Sequence, residues 1–116
     1  MPRSIAVLTN LHCFATEDDG GTDELYMTAN GHRFWPDHGI FSMSNGEDAP
    51  NNAPMHLEQI IPPGGSVRIE LFDADSPDQD DNLGAVTIRE FDAGHGDLTA
   101  DFTADEAHYR LTYHVE

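Results

Sequence analysis

Apolar residues recur at every second position through most of this chain, and clusters of turn-forming residues interrupt them at short intervals. Residues 4–14 alternate as a strand, which puts Ile5, Val7, Leu11 and Cys13 on one side. Residues 24–35 form a second extended stretch with a turn signal at Asn30-Gly31. Residues 39–44 make a short third, followed by the breaker-rich run NGEDAPNNAP. Residues 55–61 are the fourth, closed by Pro62-Pro63-Gly64-Gly65. The fifth, 66–72, turns Val67, Ile69 and Leu71 one way, and the sixth and seventh cover 83–91 and 98–103. Thr99, Ala100 and Asp101 offer a helical turn as the alternative there. In the eighth, 107–115, Tyr109, Leu111, Tyr113 and Val115 alternate with His108, Arg110, Thr112 and His114. Long helical periodicity is missing, so the pattern predicts an all-β chain: eight antiparallel strands in a sandwich or barrel.

If each strand runs opposite to the one before, the connections alternate between two ends. The loops at 15–23, 45–54 and 73–82, and the connection near Asp105 and Glu106, then share one end.

The 116 residues suit one domain with one core, spanning 1–116. No apolar run approaches the roughly 20 residues that span a bilayer, and the opening MPRSIAVLTN shows no secretory signal. The compartment stays open, and an extracellular location would require processing or another export route. Cys13 is the single cysteine, placed in an apolar alternation as a small buried hydrophobe.

Charge changes the picture most. The net charge is −17, from 22 acidic residues against five arginines and no lysine, which argues against nucleic-acid partners. A general acidic surface suited to high salt is one reading. The other is local, because ten of the 22 acids lie in 17–24 and 73–81, the two segments that strand parity brings to one end.

The run VRIELFDADSPDQDDNLG drives a strand into five aspartates within nine positions. Two carboxylates about 4 Å apart cost on the order of 4 kcal/mol at a surface-like dielectric, so such a cluster implies either a loose, well-solvated loop or a cation inside it, and the spacing favours the cation. Calcium takes six to eight oxygens at roughly 2.4 Å, and short Asp side chains let the backbone approach the ion. A helix-loop-helix calcium loop does not fit. Counting from Asp73, its third ligand place falls on Pro77, its glycine place on Asp78 and its closing acid on Gly84.

DADSPDQDDNLG resembles the third calcium-binding loop of C2 domains, the calcium- and lipid-binding β-sandwich modules. The family pattern is Asp-x-Asp, a third Asp six positions on, then two residues and a glycine, filled here by Asp73, Asp75, Asp81 and Gly84. EDDGGTDELYMTANG resembles the family's first calcium loop. Asp23 fills its second acidic place, and the first falls on Asp18 with a one-residue shortening or on Glu17 without it. The loop order resembles the permuted variant, in which the first strand leads directly into calcium loop one. The resemblance implies an eight-stranded C2-like sandwich. Glu17, Asp18, Asp19 and Asp23, with Asp73, Asp75 and Asp81, would cage two Ca2+ ions, Asp23 and Asp73 bridging. Asp78 and Asp80 are weaker candidates, and Glu47 or Asp48 a third contribution.

Departures from the pattern bear on purpose. Glu24 follows Asp23 where the family has a small residue or Pro, which suggests a divergent, bacterial-type subgroup. Lipid-binding relatives carry apolar or basic loop tips and a lysine cluster. The tips here read Gly20-Gly21-Thr22 and Ser76-Pro77-Asp78-Gln79. The expectation is therefore a non-enzymatic, calcium-stabilised interaction or structural module with a protein or carbohydrate partner. Calcium-dependent phospholipid binding is the first rival and a small metal-dependent hydrolase the second. The seven histidines lie in no zinc-ligand spacing, and no serine lies in a nucleophile elbow. Oligomeric state is not encoded in any feature of the chain.

Overall fold

In a computed structural model of the chain, which describes residues 4–17, 21–49, 57–74 and 79–116, the alternation resolves into ten strands. They are β1 (Ser4–Ala15), β2 (Asp23–Ala29), β3 (His32–Trp35), β4 (Phe41–Met43), β5 (Asp48–Ala49), β6 (Leu57–Ile61), β7 (Ser66–Asp73), β8 (Asp81–Arg89), β9 (Leu98–Phe102) and β10 (His108–Val115). A single 3-10 turn, Glu90–Asp92, is the only helical element among the described residues. Among those residues no helix is long and apolar enough to cross a membrane.

All pairings are antiparallel, in two sheets. In one, β1 and β10 are central, β9 borders β10, and β5 and β6 both pair with β1. In the other, β2 and β7 are central, β8 borders β7, and β3 and β4 both pair with β2. β6 covers Ser4–Leu8 of β1 and β5 covers Leu11–His12, so the two lie end to end as one interrupted lane. β3 and β4 likewise share the free edge of β2, opposite Met27–Ala29 and Asp23–Leu25. Ten strands thus fill eight lanes, and of the sandwich and the barrel that the pattern allows, the fold is the eight-lane antiparallel sandwich.

Two details differ from the sequence expectation. The stretch 24–35 is not one strand. It reverses at Asn30-Gly31, where φ is +50° and +85°, the left-handed pair that a tight hairpin turn requires. The stretch after it, β4, continues the lane of β3 rather than reversing again, so the count of reversals is unchanged and the acidic connections still fall at one end. β5 is an added piece of strand inside the run read as breakers; residues 50–54 of that run, and the first two residues of the expected strand 55–61, lie outside the described residues.

The second difference concerns β1. Ile5 and Val7 do not share a face with Leu11 and Cys13. The pairing with β10 slips between Leu8 and Asn10, leaving Thr9 as an extra residue whose hydroxyl donates to Thr112 O at 3.1 Å. One inserted residue flips every later side chain to the other face. Ala6 and Leu8 therefore enter the core together with Leu11 and Cys13, while Val7 is buried outside that cluster and Ile5 is half-buried on the outer face.

The core lies between the sheets, with Val67, Ile69 and Leu71 of β7 against Tyr109, Leu111, Tyr113 and Val115 of β10. His108, Arg110, Thr112 and His114 stay on the outer side, half-buried. Full burial of each aliphatic side chain contributes about 1.5–3 kcal/mol. The connections that follow β1, β4, β7 and β9 gather at one end. Thr16 N donates to Asn45 Oδ1 at 2.8 Å, Ala74 N to Glu24 O at 2.7 Å and Ala104 N to Leu83 O at 2.9 Å.

Candidate functional site

Asp73 ends β7, Asp81 begins β8, and the two are paired directly across the ladder. Like charges placed opposite each other destabilise a sheet. A third carboxylate joins them: oxygens of Glu17, Asp73 and Asp81 all lie within 4.8 Å of one another. Glu17 comes from the connection after β1, so the two acidic segments converge as strand parity requires.

Backbone amides hold this arrangement. Asp73 is buried, and its Oδ1 accepts Glu24 N at 2.8 Å. Glu17 N donates to Asp23 Oδ2 at 3.0 Å and Oδ1 at 3.2 Å, which ties the start of this connection to its end. Burial, then the neighbouring carboxylates of Asp81 and Asp105, push the Glu17 carboxyl up to about 8. Glu17 Oε2 is buried and has no hydrogen-bond donor among the described residues. A buried carboxylate oxygen without a donor is costly unless a proton or a metal ion meets it.

Asp23 is fully buried and lies outside the converging group. Besides the Glu17 amide, it accepts the Tyr109 hydroxyl at 2.6 Å. Burial, and then the Asp23 carboxylate, hold the Tyr109 phenol well above the usual tyrosine range, so it remains a donor.

Of the other expected residues, those described lie outside this group. Asp80 accepts the hydroxyl of Tyr26, which stacks on Phe72 at 5.1 Å on the outer face of the β2–β7 sheet. Glu47 accepts Ser44 N at 2.6 Å within its own turn, and Asp48 pairs with His12 Nδ1 at 2.9 Å. Asp18, Asp19, Asp75 and Asp78 lie outside the described residues. Asp105 was not named as a site residue from the sequence, although parity had placed its loop at this end. It sits in the β9–β10 connection in the left-handed conformation, φ +56°, followed by Glu106 at +68°. Tyr109 was also missed, because its alternation marks it only as a core residue.

The oxygen-only donor set fits a hard cation. The carboxylate oxygens of Glu17, Asp73 and Asp81 lie close enough together for one ion to reach all three.

Comparison with protein-family models finds no match, and neither does comparison with curated proteins. Among solved structures the chain is similar to a C2 domain, at 15% identity over 99% of both chains with a TM-score of 0.51. It is also similar to a structure of the paired C2 domains, A and B, of Extended-Synaptotagmin 2. There the identity is 23% over 98% of this chain and 40% of that one, again with a TM-score of 0.51. At these identities the likeness speaks to architecture, and it establishes a C2-like fold.

Proposed function

We propose that this chain is a calcium-binding C2-like module whose ion is held between its first and third acidic loops. The observation that carries this reading is the convergence of Glu17, Asp73 and Asp81, whose carboxylate oxygens all lie within 4.8 Å of one another. Asp73 and Asp81 would supply the floor from the β7–β8 ladder, and Glu17 would close the set from the opposite loop. Asp105 stands beside Glu17 as a further carboxylate. A second ion, expected from the sequence, would draw on Asp18, Asp19, Asp75 and Asp78.

The role of the ion follows from electrostatics. It offsets the repulsion among the carboxylates, so the loop end is stable and ordered when calcium is bound. That end, or a sheet face, then serves as a binding surface for a protein or carbohydrate partner.

Thermal melting in calcium and in chelator at matched ionic strength tests this. At 100-fold over Kd the ion contributes about 2.7 kcal/mol, which raises the melting temperature by about 10 °C in a chain of this size. Asp81→Asn should lose most of that shift. Coincident curves in calcium and chelator would exclude the reading.

A further inference from the structure

In the sequence pattern, Asp23 occupies a ligand place. The structure uses it differently. Asp23 has no exposed surface, and both of its oxygens accept hydrogen bonds from protein: the Glu17 amide at 3.0 and 3.2 Å, and the Tyr109 hydroxyl at 2.6 Å. Its carboxylate is outside the group formed by Glu17, Asp73 and Asp81.

The donor that holds it is rigid. Tyr109 lies on the central strand β10, directly paired with Cys13 of β1, and is itself fully buried. A tyrosine so placed has little freedom to move its hydroxyl. The Glu17 amide bonds to Asp23 across six residues, so whatever fixes Asp23 also fixes the backbone of Glu17.

We infer that Asp23 is the internal anchor of the first acidic loop rather than an ion ligand, and that Tyr109, by holding Asp23, positions Glu17 for the cation. Tyr109 and Asp23 are positioning residues and Glu17 is the group they deliver. The final step, to the cation, rests on the calcium reading given above; the anchoring itself does not.

The test has two arms on the full chain: wild type, Tyr109→Phe, Asp23→Asn and the double variant. The first arm is site-resolved amide hydrogen exchange of calcium-free protein. Exchange at the Glu17 amide should accelerate about tenfold or more in each variant, while amides in the centre of β7 keep their protection. The second arm is calorimetric titration with calcium. Each single variant should weaken binding about tenfold without changing the stoichiometry, and the double variant should be little weaker than either.

A Glu17 amide that exchanges at the wild-type rate in Asp23→Asn would overturn the anchor. So would Asp23→Asn losing a whole ion from the stoichiometry while Tyr109→Phe binds as wild type, because Asp23 would then be a ligand. If Tyr109→Phe fails to fold, Asp23→Asn decides both arms. If wild type takes up no calcium, the calcium reading falls alone, and the exchange arm still decides the anchor.

Discussion

Glu17 shows how one residue can report on the electrostatics of a whole loop end. Its carboxyl is pushed from an ordinary 4.5 up to about 8, by burial first and by Asp81 and Asp105 next. Between those values the folded chain holds a proton that the unfolded chain has released. Stability of the metal-free protein should therefore fall as pH rises through that window. Glu17→Gln should flatten the slope, as measured by urea melts at several pH values. Calcium should displace the proton, so titrations near neutral pH in buffers of different ionisation heat should show close to one proton released per ion bound at Glu17. The sequence already pointed to Asp73 and Asp81, because their spacing to Gly84 is a backbone pattern. It left Glu17 and Asp18 as alternatives for the first loop, since one residue of loop length is invisible to spacing. It could not show that Asp23 faces inward, because that depends on a tyrosine 86 residues away in the chain.

At the scale of elements, strand periodicity carried most of the architecture and failed where a strand changes phase. Val67, Ile69 and Leu71, and the alternation of β10, lie as the pattern predicts. β1 does not, because the bulge at Thr9 has no signature in an apolar–polar pattern. Interrupted edge lanes caused the other difference, since β3 with β4 and β5 with β6 each serve one central strand. Gly84, the glycine that closes the third-loop pattern, has a role in the fold that spacing alone does not reveal. Its φ is +134°, and a Cβ there would stand 3.0 Å from Phe102 Cα and from Thr103 N. The pairing of β7 with β8 slips at this point, which aims Asp81 at Asp73. Gly84→Ala combines backbone strain with a clash against backbone that cannot step aside. It should cost about 3 kcal/mol in urea unfolding and weaken calcium binding in parallel.

Across the whole molecule, the net charge of −17 with no lysine makes self-repulsion the dominant long-range term. Self-repulsion on this scale is relieved by any salt, whereas the proposed calcium site would respond to one specific ion. Potassium chloride at the ionic strength of the calcium buffer should therefore raise the melting temperature by only a small part of the calcium shift. Comparable shifts would favour a general acidic surface adapted to salt. The same charge disfavours anionic membranes. In sedimentation with phosphatidylserine vesicles at physiological salt, the protein should stay in the supernatant with or without calcium. Pelleting in calcium alone would instead assign the loop end to lipid. Calorimetric titration of wild type and Asp73→Asn tests whether Glu17, Asp73 and Asp81 form a calcium site. Wild type should bind calcium saturably and magnesium more weakly, and Asp73→Asn should lose the calcium isotherm. No saturable heat with millimolar calcium, or the same isotherm in Asp73→Asn, would contradict a calcium site there.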